Sequence, residues 1–437
     1  MKTLDTYFSI SQRGSRLSTE IIAGIVTFAS MVYILAVQPN IMSAAGMDPS
    51  AVFTATAISA GFATILMGIY GRIPIALASG LGINAFIAFT ICGTMGFPWQ
   101  VALAVVFVEG LIFLIISLLK IREKIVDAIP ETVKKAVGLG IGLFIAVVGL
   151  ESAGMLSVGG GTPIALHSIT SGTPLVAVMG LIILIVLYAL KVPGSIFIAI
   201  LATTIIGIPF HVTAIPEGFK FFSFASAPYT PFDIIAGLEA VNPIQFLTVM
   251  IALLFVDIFD TVATLISVAH QSNLMTKDGK IVNVREAMIT DAIGTMFGSL
   301  VGAITVTAYI ESSTGVAVGG KTGIASVVTG LLFFVSLIFA PLFLLVPGAA
   351  TAPALIFVGF LMLGTISQID LKNIEIGLPI FITMLILPFS YSIGTGLAWG
   401  FISYVLVKCA MRKFKEINLT TWILTIIFLI KIITDTH

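Results

Sequence analysis

The fold of this chain is decided by an apolar stretch with two acids in its middle, Leu254-Phe255-Val256-Asp257-Ile258-Phe259-Asp260-Thr261-Val262-Ala263-Thr264. A charged side chain at the centre of a membrane-spanning helix costs about 2.5–3.5 kcal/mol on insertion scales, so such side chains usually serve a function. Asp257 and Asp260 lie three residues apart, and Thr261 and Thr264 continue the same helical face. The stretch therefore predicts a membrane helix with a polar, functional face.

A second stretch also departs from the pattern of a membrane helix, Tyr309-Ile310-Glu311-Ser312-Ser313-Thr314-Gly315-Val316-Ala317-Val318-Gly319-Gly320. It is too short and too rich in glycine to cross a bilayer as one helix, which needs about 20 apolar residues. We expect an extended piece followed by a half-helix, with Glu311 at the break. Irregular backbone at membrane depth is tolerated only where it is buried in protein or lines a cavity. Broken helices of this kind mark the substrate sites of secondary transporters.

The composition places the whole chain in the membrane. Of its 437 residues 58% are hydrophobic and 10% are charged, whereas soluble domains carry about 25% charged residues. The net charge of zero gives no sign of nucleic-acid binding. The two cysteines stand in apolar patterns and predict small buried side chains without a disulfide. No zinc motif, phosphate-binding loop or Cys/His cluster is present, so we expect neither an enzyme nor a cofactor or metal.

The apolar runs and the basic loops predict the topology. Seven runs precede a long loop, Pro209 to Pro243, and seven follow it: 18–45, 51–69, 75–95, 98–119, 133–150, 174–190 and 193–209, then 244–269, 287–303, 307–320, 323–346, 353–366, 374–389 and 392–411. With a cytoplasmic N-terminus, all 21 Lys and Arg residues except Lys220 and Lys431 fall in inside loops or tails, as the positive-inside rule requires. The last apolar stretch, 419–434, is short and is expected to lie at the membrane interface.

Seven plus seven spans place the two halves in opposite orientations, the inverted repeat of many transporters. The halves begin near Ser18 and Gln245, an offset of about 227. This offset carries Glu311 onto Asn84, which lies in the other glycine-interrupted segment, Ile75-Ala76-Leu77-Ala78-Ser79-Gly80-Leu81-Gly82-Ile83-Asn84-Ala85. We therefore expect two broken segments, the third and the tenth, to meet at a substrate site near the middle of the membrane.

The polar side chains of these segments suit proton-coupled recognition of a heterocycle. Asp257 and Asp260 cannot comfortably both be ionised in a dry site, so one of them would exchange a proton; their alternative role is a structural pair. Glu311 would bind substrate or cap the half-helix that follows it. The Asn84 amide both donates and accepts hydrogen bonds, although an interhelical hydrogen bond would also explain it. Gly82 allows close approach of the backbone.

Several motifs together resemble the azaguanine-type purine permeases of the nucleobase–ascorbate transporter superfamily, over nearly the whole chain: Glu20-Ile21-Ile22-Ala23-Gly24-Ile25-Val26-Thr27-Phe28, Gly80-Leu81-Gly82-Ile83-Asn84-Ala85-Phe86, Phe255-Val256-Asp257-Ile258-Phe259-Asp260-Thr261, Tyr309-Ile310-Glu311-Ser312, Gly315-Val316-Ala317, Gly320-Lys321-Thr322-Gly323 and Thr351-Ala352-Pro353-Ala354-Leu355-Ile356. The chain departs from the family's usual residues at Gln38-Pro39, Ser79, Glu151-Ser152 and Ala263, where the family usually has Asn-Pro, Pro, Gln-Asn and Gly.

This resemblance implies an all-α polytopic fold of 14 transmembrane segments in a 7+7 inverted repeat. The third and tenth segments would each be a short strand plus a half-helix. The core domain would comprise 1–120 and 244–347, and the gate domain would comprise 121–243, which includes the long loop, and 348–415. An interfacial helix, 416–437, would follow. Members of the superfamily are often homodimers through the gate domain.

The resemblance also implies the site residues. Asp257 and Glu311 would bind the base, with Asn84 as a polar contact and Gly82 and Ser312 as further substrate contacts. Asp260 would support the site or relay protons.

We therefore expect a proton-coupled purine importer of the cell membrane, with hypoxanthine and guanine preferred. The alternatives are an adenine-preferring or a uracil or xanthine symporter of the same fold, an anion carrier of the related sulfate-type fold, and a channel. Three acids at the site argue against an anion.

Overall fold

A computed structural model gives the fold of this chain. It describes residues 2–119, 130–159, 162–239, 282–391 and 393–435, together with single positions between 240 and 281: Phe246, Val249, Met250, Leu253, Leu254, Asp257, Thr261, Thr264, Leu265 and Val268. Each of these single positions is helical.

The first half of the chain consists of helices with one short strand before the fifth and a hairpin after the seventh. In order these are α1 (Lys2–Phe8), α2 (Leu17–Met31), α3 (Ile34–Ser43), α4 (Pro49–Leu66) with a π-helical end (Met67–Gly71), β1 (Leu77–Ser79), α5 (Leu81–Ala85) with a π-helical continuation (Phe86–Thr94), α6 (Trp99–Leu118), α7 (Glu131–Ser152), β2 (Leu156–Gly159), β3 (Thr162–Leu166), α8 (Gly172–Ala189), α9 (Ser195–Gly207) and α10 (Pro231–Glu239).

The described part of the second half likewise consists of helices with one short strand. After the helical positions between 246 and 268 come α11 (Val284–Val301), β4 (Val306–Ala308), α12 (Ser312–Ala317), α13 (Gly323–Ser336), α14 (Ala340–Leu344), α15 (Gly348–Met362) with a 3-10 end (Leu363–Gln368), α16 (Ile374–Ser390), α17 (Ile393–Ala410), a 3-10 turn (Phe414–Glu416) and α18 (Leu419–Asp435).

These helices coincide with the predicted apolar runs to within a few residues. Five described helical stretches are long and apolar enough to cross a membrane: Leu17–Ser43, Pro49–Gly71, Trp99–Leu118, Glu131–Ser152 and Gly172–Ala189. The chain is therefore a multi-pass membrane protein. The count of 14 spans and the 7+7 repeat stay predictions.

The third and tenth segments have the predicted form, a strand followed by a half-helix. Their strands β1 and β4 pair with each other in antiparallel register, with Ala78 opposite Thr307. The crossing is fully buried, and side chains reinforce it. The Ser79 hydroxyl donates to the Ala303 carbonyl at 2.7 Å, and the Tyr309 hydroxyl donates to the carbonyl of Ser79. Ser79 thus ties one broken segment to the approach of the other.

The matching of residues between the two broken segments is less regular than a single offset implies. Asn84 is the fourth residue of α5. Glu311 immediately precedes α12. The two segments therefore correspond as elements, while these two polar residues occupy different positions along their half-helices.

The first apolar run is interrupted in its middle. Helix α2 ends at Met31 and α3 begins at Ile34, with Val32 and Tyr33 in the turn between them. Every one of these residues is buried. The backbone groups of the turn bond locally, since the Val32 N–H donates to the Phe28 carbonyl and the Tyr33 carbonyl accepts from the Ala36 N–H.

Two expectations about loops need correction. The stretch between α7 and α8 contains the antiparallel hairpin β2–β3, which the sequence analysis did not predict. The long loop Pro209 to Pro243 contains α10. At its start the Asp233 carboxylate accepts hydrogen bonds from the backbone N–H and the hydroxyl of Thr230, which is the acid's half of a capping box. Helix α10 packs against α6.

The connecting loops gather at two opposite ends of the bundle. At one end the Arg13 guanidinium donates to the carbonyls of Arg72 and Lys321 at 2.8 and 2.9 Å. At the other end the backbone N–H of Tyr229 donates to the carbonyl of Val301, and its hydroxyl accepts from the Asp48 N–H at 2.7 Å. Each end thus joins loops from both halves of the chain.

Candidate functional site

Glu311 lies at the break between β4 and α12, immediately before the first residue of α12. Its Oε1 accepts a hydrogen bond from the Tyr33 hydroxyl at 2.6 Å. The Tyr33 side chain is fully buried, and a hydrogen bond from its hydroxyl to an ionised carboxylate is stronger than one between neutral groups. The turn between α2 and α3 therefore positions the predicted base-binding carboxylate.

The alternative role of Glu311 as a helix cap is not observed. Its side chain makes no capping hydrogen bond to α12, although the residue occupies the cap position. The start of α12 is instead tied to α2, since the Thr314 hydroxyl donates to the Ser30 hydroxyl oxygen at 2.9 Å.

Asn84 lies in α5, on the other broken segment. Its Nδ2 donates to Oε1 of Gln38 at 2.9 Å, and both side chains are fully buried. The partner is again in the first apolar run, since Gln38 belongs to α3. The interhelical hydrogen bond that we weighed as an alternative role for Asn84 is therefore present, and it uses only the amide's donor side.

Asp257 is helical and fully buried. One turn further along the same helix, the Thr261 hydroxyl lies 2.8 Å from Oδ2 of Asp291 and 3.0 Å from the hydroxyl of Thr307 in β4. Residues four apart share a face of a helix, so the acid-bearing face of this helix is directed at the strand crossing. Asp260 lies outside the described residues.

The two small residues predicted as substrate contacts are packed against protein. The Ser312 hydroxyl accepts a hydrogen bond from the Ala76 N–H at 3.0 Å, next to the strand crossing. A Cβ added to Gly82 would lie 2.6 Å from Cγ2 of Ile141 in α7. Gly82 therefore allows α5 and α7 to approach closely, and its role as a substrate contact stays a prediction.

Sequence reasoning missed three side chains of this region. Asp291 is an acid within an apolar run, and the rule that singled out Asp257 would have found it. Gln38 was noted only as a departure from the related permeases. Tyr33 carries no sequence signal, because a tyrosine in an apolar run is unremarkable until its partner is known.

The arrangement offers hydrogen-bond acceptors and amides in a dry environment, which suits binding of a neutral polar molecule. In the part of the chain that the structure describes, no group of three His, Cys, Asp or Glu side chains is placed to hold a metal ion.

Broken segments that cross with polar side chains at their breaks are typical of transporters. The transmembrane domain of a cyanobacterial bicarbonate transporter, BicA, has a similar fold, with a TM-score of 0.64 at 17% identity. The match covers 88% of this chain and 97% of that one. A family model described as "Permease family" (Xan_ur_permease) matches residues 18–398. The chain belongs to this permease family, and it is a transporter and not an enzyme.

Curated relatives match over almost their whole length. The guanine/hypoxanthine permease PbuG of Bacillus subtilis is 39% identical, with 98% of this chain and 99% of the relative covered. The adenine permease AdeP of Escherichia coli is 35% identical, with 99% and 97% covered. The resemblance to purine permeases that the motifs indicate is thereby confirmed.

Proposed function

We propose that this chain is a proton-coupled importer of purine nucleobases that prefers hypoxanthine and guanine. The observation that carries the proposal is the Glu311 carboxylate, placed at the break of the tenth segment and held by the Tyr33 hydroxyl at 2.6 Å. The relatives named as guanine/hypoxanthine and adenine permeases support the choice of purines.

The chemistry of the base fits this set of groups. Hypoxanthine and guanine present an N1–H, which an ionised carboxylate accepts well. Glu311 and Asp257 would be the acceptors, and Asn84 would supply an amide that reads a mixed edge. Gly82 and Ser312 would be further contacts to the base.

Proton coupling needs an acid that changes its charge with the cycle. Asp257 is fully buried, and a buried carboxylate is costly to ionise unless it is compensated. In our proposal Asp257 or Glu311 takes up a proton when the base binds from outside, and Asp260 supports the site or relays protons. The transporter then opens to the inside, where the proton and the base are released.

Two alternatives differ in substrate. Adenine presents N1 as an acceptor, so it would need a protonated carboxyl group or the amide of Asn84, and the 35% identity to an adenine permease favours this as the second candidate. An anion would meet a carboxylate at the break of the tenth segment, which disfavours an anion carrier; the likeness to the bicarbonate transporter extends to the fold alone.

The same proposal divides the chain into moving parts. The core would be 1–120 and 244–347, the gate 121–243 and 348–415, and 416–437 an interfacial helix. The close packing of Gly82 on Ile141 of α7 would then place the site at the boundary between core and gate. We further propose a homodimer through the gate, in the cell membrane, with the N-terminus in the cytoplasm.

The test is uptake of radiolabelled hypoxanthine by cells that lack their own purine carriers. Unlabelled guanine, adenine, xanthine and uracil compete in turn, with and without a protonophore. We expect uptake that the protonophore abolishes and that guanine blocks more strongly than adenine. Stronger inhibition by adenine than by guanine would show that adenine is the preferred substrate. No uptake of any base, with the protein present in the membrane, would contradict the proposal.

A further inference from the structure

The amides of Gln38 and Asn84 share one hydrogen bond where two amides facing each other form two. Asn84 Nδ2 donates to Gln38 Oε1 at 2.9 Å. The remaining pair, Gln38 Nε2 and Asn84 Oδ1, do not bond to each other, and neither atom has a partner among the described residues. One donor and one acceptor are thus left side by side at the third segment.

Both side chains are fully buried, so water does not compensate these two atoms from outside. An unpaired buried polar group costs about 1–3 kcal/mol, and native proteins contain few of them without a reason. Rotating both amides by half a turn would exchange the atoms and still leave one donor and one acceptor. Either orientation of the two amides therefore leaves one donor and one acceptor without a partner among the described residues.

The location of the pair gives this feature its meaning. Gln38 lies five residues after Tyr33, which holds Glu311. The first apolar run therefore places one polar side chain against each of the two broken segments. A molecule seated between them would meet Glu311 from one side and the amide pair from the other.

We propose that Gln38 is a substrate-binding, specificity-determining residue, which with Asn84 reads an edge of the base bearing a neighbouring acceptor and N–H donor. Gln38 Nε2 donates to the acceptor of the base, and Asn84 Oδ1 accepts from its N–H. This inference rests on the proposed function and adds to it a residue and a substrate class, heterocycles with such a paired edge.

The paired edge occurs more than once on a purine. In hypoxanthine, O6 lies beside N1–H, and N3 lies beside N9–H. Gln38 donates to the acceptor of whichever edge faces it, so deletion of that acceptor from the ligand must cancel the effect of deleting the donor from the protein.

The test is a cycle between ligand and protein changes, with binding of each ligand measured on the purified full-length chain in detergent. The ligands are hypoxanthine, 6-mercaptopurine, whose thione form keeps N1–H but replaces O6 with sulfur, a weak acceptor, and 3-deazahypoxanthine, which lacks N3. The variant is Gln38→Met, with Gln100→Met at the start of α6 as the matched control. The affinity for hypoxanthine should fall about tenfold in Gln38→Met, as loss of one hydrogen bond requires.

The same substitution should change the affinity for one of the two analogues less than twofold, which identifies the acceptor. An equal fall for all three ligands, or no fall for any, would overturn the inference while leaving purine binding intact. Absence of binding by the wild-type chain would instead contradict the proposed function. If Gln38→Met does not fold, Gln38→Leu, which also removes the amide donor, gives the same comparison.

Discussion

At the scale of single residues, the site depends on hydrogen bonds made inside protein. The Tyr33–Glu311 bond of 2.6 Å joins a fully buried hydroxyl to a carboxylate at a backbone break. Hydrogen bonds to charged groups contribute about 1.5–3 kcal/mol, enough to fix one orientation of the carboxylate. In the proposed function, Glu311 would be held in place by Tyr33 before the substrate binds.

The charge of Glu311 is the first residue-scale prediction. Glu311→Gln keeps an oxygen that accepts from Tyr33 and removes the negative charge. The affinity for hypoxanthine should fall by about 10- to 100-fold, the loss of one charge-assisted bond. Competition binding on purified protein measures this, with the melting temperature as a check of folding. Unchanged affinity in a folded variant would exclude Glu311 as a substrate ligand.

The second residue-scale prediction concerns the Tyr33 hydroxyl. Tyr33→Phe removes the donor and keeps the ring, so Glu311 loses its restraint and the affinity for hypoxanthine should fall, by less than in Glu311→Gln. Tyr188→Phe is the matched control, because Tyr188 lies on α8 with its ring against Phe357 and is 45% exposed. If both tyrosine variants behave alike, Tyr33 has no special role in positioning.

At the scale of elements, the first apolar run organises both broken segments. Its α2 part carries Ser30, its turn carries Tyr33 and its α3 part carries Gln38. Ser30 and Tyr33 contact the tenth segment, and Gln38 contacts the third segment. Such close contact between elements requires small residues where backbones meet.

Gly315 is where this requirement is strictest. A Cβ at this position would overlap the Thr27 hydroxyl and lie 2.6 Å from the Ala23 carbonyl oxygen. Gly315→Ala should push α12 away from α2 and destabilise the protein by about 1–3 kcal/mol, the cost of overpacking. Thermal unfolding in detergent measures this.

The control is Gly138→Ala in α7, where an added Cβ meets nothing within 4 Å. It should leave stability unchanged or raise it by about 0.4–1 kcal/mol. Equal melting temperatures for the two variants would show that α12 does not depend on contact with α2.

The elements show what the sequence could and could not predict. Strand-plus-half-helix segments were predictable because glycine and isolated acids interrupt apolar runs. Other signals existed for α10, where an acid, Asp233, follows Thr230 by three residues and accepts from its N–H, and for the β2–β3 hairpin, where Gly159, Gly160 and Gly161 follow one another in the sequence. Partners such as Tyr33 and Gln38 were not predictable as contacts, because they depend on which helices meet.

At the scale of the whole molecule, the N-terminal region joins the two halves. The fully buried Glu20 carboxylate accepts hydrogen bonds from the backbone N–H groups of Lys321 and Thr322 at 2.9 and 3.1 Å. These groups immediately precede α13, which begins at Gly323. Helix α2 of one half is thus tied to the chain entering α13 in the other.

Loss of this contact should loosen the joint. Glu20→Ala removes the acceptor of the Lys321 N–H and of the buried Thr322 N–H, so the free energy of unfolding should fall by about 1–3 kcal/mol. Glu131→Ala is the control, because its ion pair with Lys134 is at the surface, with the Glu131 side chain 74% exposed, and such pairs contribute about 0–1 kcal/mol. A melting temperature for Glu20→Ala equal to that of Glu131→Ala would argue against a stabilising role of this contact.

The central claim is that purine movement is coupled to protons, and reconstitution tests it most directly. The purified chain is placed in liposomes with equal hypoxanthine inside and outside, and an inward proton gradient is imposed. The account predicts accumulation of hypoxanthine above the outside concentration, collapse of that accumulation with a protonophore, and its loss in Glu311→Gln. Hypoxanthine that equilibrates without accumulating, at a rate unaffected by the proton gradient, would contradict the account.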